Sequence, residues 1–149
     1  MADPISIASS LVSTAHTATK LRATLGQTIK SSALKQERAL LVIIRNRLAI
    51  FGSLLDSLVS AIASDHSIMP AHLFSDLQDI LEASSRVLQK LVKEIYPDGE
   101  SQVSRKFMIL RKRPEVEACD KLLQDHVAAL QLMLRLISMA KTQQVGRVR

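Results

Sequence analysis

Apolar residues recur along this chain at steps of three and four, the spacing that returns a side chain to one face of an α-helix. Leu41, Ile44, Leu48, Phe51, Leu55, Leu58 and Ile62 keep that spacing without a miss. Leu40, Ile43, Ile50 and Leu54 widen this seam into a broad stripe. That breadth predicts a helix over 33–64 packed against more than one neighbour. A third segment, Phe74, Leu77, Leu81, Ser84, Leu88, Leu91 and Ile95, has one polar member and lies between Pro70 and the turn-forming Tyr96-Pro97-Asp98-Gly99. It predicts a helix over 70–96. A fourth, Val116, Cys119, Leu123, His126, Leu130, Met133, Ile137 and Ala140, follows Pro114, with Glu115 and Glu117 at the positive end of the helix dipole. It predicts a helix over 114–141.

The first segment is the least apolar. Ile7, Leu11, Thr14, Ala18, Leu21 and Leu25 form its stripe, and Asp3-Pro4 supplies an N-cap followed by a proline at the first helical position. A helix over 4–29 is expected. Four amphipathic helices joined by two short turns and one longer connector, 100–113, make an all-α, up-down four-helix bundle with a basic connector before the last helix. Residues 1–143 form the single domain. Residues 144–149, with Gly146 and no stripe, are expected to form a flexible tail.

Composition agrees with helices and excludes much else. Four Gly and four Pro in 149 residues are too few turn signals for a many-stranded sandwich or barrel. The longest apolar run, Ala39 to Ile44, falls far short of the roughly 20 residues that cross a bilayer. The start carries Asp3 and no basic cluster, unlike a secretory signal, and the lone Cys119 fits a reducing cytoplasm.

The net charge of +6 is unevenly spread. Residues 1–75 hold seven basic and four acidic groups, 76–100 three and six, and 101–149 ten and four. Arg105, Lys106, Arg111, Lys112 and Arg113 surround the apolar Phe107, Met108, Ile109 and Leu110. Cations flanking an apolar insert suit an anionic membrane, the charges among headgroups and Phe107 in the interface. The plainer reading is a solvated connector whose Phe107 and Leu110 plug the bundle's end. Nucleic acid is disfavoured, because stacking aromatics are scarce and no recognition motif occurs. Residues 4–19 contain no charged side chain, so the first helix could enter lipid, although its many hydroxyls oppose this.

Enzymatic chemistry finds no constellation. The four glycines are isolated, so no phosphate-cradling loop exists. His66 and His72, beside Asp65 and Asp76, lack the spacing of a metal site and read as loop histidines. Cys119 and His126 share a face but stand about 10.5 Å apart along the axis, whereas a base must come within about 3 Å of its nucleophile. Cys119 therefore reads as a small buried hydrophobe, His126 as a core-edge imidazole bonded to a neighbour, and Ser84 as a residue allowing close helix approach. No cofactor is expected.

The opening Met1-Ala-Asp-Pro-Ile-Ser-Ile-Ala-Ser-Ser-Leu-Val12 resembles the start of the HeLo-like N-terminal domain of fungal STAND proteins, counterparts of NOD-like immune receptors. The basic stretch Ser104 to Arg113, then Glu115, Val116 and Leu122 to Ile137, is similar to that family's basic connector and final helix. The resemblance implies a non-enzymatic signalling and cell-death effector bundle that oligomerises with copies of itself at the plasma membrane when a STAND-type receptor domain triggers it. It further implies that the first helix, with Ile5, Ile7, Leu11, Val12, Leu21 and Leu25, is the membrane-active element, and that Arg105, Lys106, Phe107, Arg111, Lys112 and Arg113 contact lipid. Two other classes stay open. One is a self-associating interaction module without membrane activity. The other is a bundle holding a small apolar ligand, marked by a continuous cavity near His126 and Ser84.

Overall fold

The computed structural model describes residues 4–32, 35–64, 71–96 and 112–148. They form four helices, α1 (Pro4–Ser31), α2 (Lys35–Ser64), α3 (Ala71–Ile95) and α4 (Arg113–Val148), with no strand among the described residues. The fold is a four-helix bundle. Asp3, the loop residues 65–70, the Pro97–Gly99 turn and most of the connector lie outside the described residues.

Each stripe faces the core. All seven seam residues of α2 are buried, as are all six of α1 and all seven of α3. Of the α4 seam, Val116, Cys119, Leu123, Leu130, Met133 and Ile137 are buried, while His126 and Ala140 sit at the core's edge. The widened stripe on α2 is only half right. Leu40 is buried and Leu54 packs against the core, but Ile43 is 49% exposed and Ile50 51% exposed. The α2 helix does have two neighbours, α1 and α4, but these two side chains stay half exposed beside them.

The lateral order is not the sequential one. The α1 helix packs on α2 and α3, and α4 packs on α2 and α3, so α1 faces α4 across one diagonal and α2 faces α3 across the other. Consecutive helices α2 and α3 are thus joined across the bundle's end. Packed helices lie 8–10 Å apart, so this diagonal is roughly 13 Å, within reach of a six-residue link.

Side-chain pairs fix the directions. Thr28 and Tyr96, near the C-terminal ends of α1 and α3, share a 2.6 Å hydrogen bond, so these two helices are parallel. Lys112 at the start of α4 lies 3.6 Å from Glu94 at the end of α3, so those two are antiparallel. Arg47 donates from Nε to Asp120 Oδ1 at 2.7 Å and from Nη2 to Oδ2 at 3.4 Å, a largely buried fork that pins the register of α2 against α4. The chain runs up-down-up-down.

Three helix ends fall close to their expected places. The fourth does not, since α4 runs on to Val148 through Gly146 instead of ending near 141. From the Arg47–Asp120 and Glu94–Lys112 pairings, at 1.5 Å per residue, the α2 end and the α3 start come level with roughly residue 137. The last ten or so residues of α4 therefore extend past both neighbours. The buried seam of α4 ends at Ile137, level with the ends of both neighbours, while the helix itself continues.

The adjacent isoleucines of α2 test this placement. Ile44, with no solvent exposure, should lose about 2–5 kcal/mol of stability on substitution by Ala. The half-exposed Ile43 should lose less than about 1 kcal/mol on the same change. Urea unfolding followed by circular dichroism measures both.

Candidate functional site

Alternating helix directions gather six cations at one end, with the carboxylates Glu37, Glu94, Glu115 and Glu117 among them. The C-terminal turns of α1 and α3 bring Lys30 and Lys93, and the N-terminal turns of α2 and α4 bring Lys35, Arg38, Lys112 and Arg113. Lys30 and Lys93 sit where a helix dipole favours cations. Lys35 and Arg113 stand at the positive ends of their dipoles, where a cation is unfavourable, with Glu37 and Glu115 in the same first turns as counterweights. Toward the other end, the first half of α3 carries Asp76, Asp79 and Glu82. The bundle is polarised along its axis.

Of the residues expected at a lipid contact, Lys112 and Arg113 are at this end. Arg105, Lys106, Phe107 and Arg111 lie outside the described residues. Lys112 pairs with Glu94, and Arg113 Nε donates to Glu117 at 2.8 Å. The Arg113–Glu117 pair is exposed and worth about 0–1 kcal/mol, which leaves Arg113 open to a competing anion, while the Lys112–Glu94 pair is half-buried. Lys30, Lys35, Arg38 and Lys93 were not picked out by local sequence pattern, since they are scattered over more than 60 residues. The expected helix ends and alternating directions together would have located them.

The residues expected on a membrane-active first helix divide into two groups. Ile7, Leu11, Leu21 and Leu25 are buried in the core, whereas Ile5 and Val12 are exposed. Four threonine hydroxyls of α1 are satisfied by the helix's own backbone. Thr14 donates to the Ser10 carbonyl at 2.8 Å, Thr17 to Ser13, Thr24 to Lys20, and Thr28 to Thr24. These bonds stay with the helix wherever it goes, which reduces the desolvation cost that its composition suggested. Between α1 and α3 run two open clefts. One, of about 370 Å³, is bordered by Ser9, Ser13, Gln78, Glu82 and Ser85. The other, of about 390 Å³, is bordered by His16, Lys20, Thr24, Val92 and Tyr96. Neither is lined by Ser84 or His126, so neither is the cavity a small-ligand bundle would need.

Between α3 and α4, the fully buried Ser84 hydroxyl lies 3.1 Å from His126 Nδ1. A buried hydroxyl needs such a partner, and this one explains why a serine interrupts the α3 stripe. Burial lowers the His126 pKa, with Asp125 pulling the other way. Burial likewise raises the Cys119 thiol, Lys90 opposing and Glu94 adding. A fully enclosed serine has no route to a substrate, and a thiol held in its neutral form is a poor nucleophile. Among the described residues, no group of three or more His, Cys, Asp and Glu is placed to hold a metal. No helix among them is long and apolar enough to cross a membrane. His66 and Asp65 lie outside the described residues, while His72 and Asp76 are exposed on α3.

No protein-family model, no curated protein and no solved structure matches the chain.

The His126 shift has a sign that can be measured. Its folded pKa lies below that of the unfolded chain, about 6.5, so the unfolded state binds the proton first as pH falls. Its contribution is complete above that value and is lost as pH drops through it toward the lower folded pKa. Stability should therefore fall between pH 7.5 and pH 5.5 in the wild type and less in His126→Gln, as read from urea midpoints at both pH values.

Proposed function

We propose that this chain is a non-enzymatic signalling and cell-death effector module of the HeLo-like kind, acting in the cytoplasm by self-association and recruitment to the anionic inner face of the plasma membrane. The observation that carries this reading is the meeting of Lys30, Lys35, Arg38, Lys93, Lys112 and Arg113 at one end of the bundle, the end to which the basic connector is attached. Each cation near an anionic surface contributes about 1 kcal/mol, and a cluster reaches the affinity that one cannot. Two cations held against their own helix dipoles support a role outside folding, because stability alone disfavours them there. The resemblance of the first twelve residues and of Ser104 to Arg113 to HeLo-like domains supplies the signalling context, with a STAND-type receptor domain as trigger.

The α1 helix supports the second part of the reading. It is uncharged from residue 4 to 19, and four of its five threonine hydroxyls, Thr14 and Thr17 within that stretch, are bonded to its own backbone. Its core face is buried, so it reaches lipid only by leaving α2 and α3. The trigger would supply that step, and the bundle at rest touches the surface by charge alone.

Vesicle flotation tests this directly. The chain should float with vesicles containing phosphatidylserine, stay behind with purely zwitterionic ones, and lose binding steeply as salt rises. The combined charge reversal Lys35→Glu, Arg38→Glu, Lys112→Glu and Arg113→Glu should reduce binding at least about tenfold with an unchanged far-ultraviolet spectrum. Equal binding to neutral vesicles, or binding indifferent to those four changes, would reject the reading.

A further inference from the structure

The α4 helix carries a second line of apolar residues outside its core seam. Leu122, Asp125, Ala129, Leu132, Leu136 and Met139 follow each other at steps of three and four, and only Asp125 is polar. Leu122 is 47% exposed, Leu132 57%, Leu136 38% and Met139 58%, and Asp125 is exposed as well. Six places in this rhythm make the a and d line of a coiled coil. Elsewhere among the described residues the large exposed apolar side chains occur singly or in pairs, such as Ile43 and Ile50 on α2. Here four stand in one row on the helix that outruns its neighbours.

From this row we infer that α4 is a self-association surface, at which two copies of the chain pair their α4 helices in antiparallel fashion about a two-fold axis between residues 130 and 131. Charge chooses both the occupant and the direction. A parallel pair in register would place the two Asp125 carboxylates face to face in one layer, where like charges repel. The antiparallel pair matches Leu122 with Met139, Ala129 with Leu132, and Asp125 with Leu136 of the second copy. Asp125 then lies beside Arg135 of that copy, and the contact occurs twice because a two-fold interface is isologous. Asp125 and Arg135 are ten residues apart on one helix, about 15 Å along the axis, so they have no reason to interact within one chain. A second copy thus matches the row in both its apolar spacing and its one charged position.

This inference rests on the self-associating half of the proposed function and not on the lipid half. A chain that dimerises without floating on vesicles keeps the interface and loses the membrane reading. A chain that floats but never dimerises does the reverse.

Sedimentation equilibrium without lipid, from about 1 µM to about 1 mM, tests it. The wild-type mass should rise toward twice the chain mass over that range. Leu132→Asp combined with Leu136→Asp should weaken association at least about tenfold, and both positions are exposed enough for the monomer to keep its helical spectrum and melting temperature. Asp125→Arg alone and Arg135→Asp alone should each weaken association, and the double exchange should restore it, because only an antiparallel pair brings those two positions together. A wild-type chain monomeric throughout overturns the inference. So does a dimer indifferent to the leucine substitutions, or single charge changes that the double exchange fails to rescue. Association seen only with vesicles also overturns it, assigning the row to lipid.

Discussion

The structure depends on burying one side of α2. Seven side chains from Leu41 to Ile62 are almost wholly removed from water, Leu41, Ile44, Phe51, Leu55 and Leu58 completely so. At about 1.5–3 kcal/mol each, they contribute roughly 10–20 kcal/mol before conformational entropy is subtracted. A helix with so complete an apolar face must be covered along its whole length, and α1 and α4 do this from its two flanks. The Arg47–Asp120 fork sits beside this stripe. An apolar seam tolerates sliding by one turn, but a fork with two donor–acceptor pairs fits in one register. Hydrophobic burial sets the strength of the α2–α4 contact, and the ion pair sets its alignment.

Helical spacing made the inward face of every helix legible, down to the buried Ser84 and the core-edge His126. It could not say which helix stands beside which, because a stripe records that a face is covered and not by what. The diagonal placement of α2 and α3 was therefore invisible to it. Ile43 and Ile50 show the same limit at smaller scale. They continue the apolar count on α2, yet about half of each side chain stays in water. The outer row on α4 went unnoticed for a related reason. Two three-four rhythms on one helix interleave, so the stronger is read as the seam and the weaker as scatter.

The basic end illustrates how a fold creates a property no local segment contains. Lys30, Lys35, Arg38 and Lys93 are unremarkable where they stand in the chain. Alternating helix directions bring them together with Lys112 and Arg113, so that cations outnumber the carboxylates Glu37, Glu94, Glu115 and Glu117 at that end. The hydroxyls of α1 show the opposite effect. Counted in the sequence they make the helix polar, but hydrogen-bonded to carbonyls one turn back they present much less unmet demand for water.

Because α1 lies diagonally opposite α4, withdrawing it would leave a trough with α4 as its floor and α2 and α3 as its walls. The Arg47–Asp120, Glu94–Lys112 and Ser84–His126 contacts would all survive, since none involves α1. The Thr28–Tyr96 bond would break. Yet α1 has its broadest contact with α2 and buries six seam residues, so the three remaining helices would keep their polar ties around a core laid open to water.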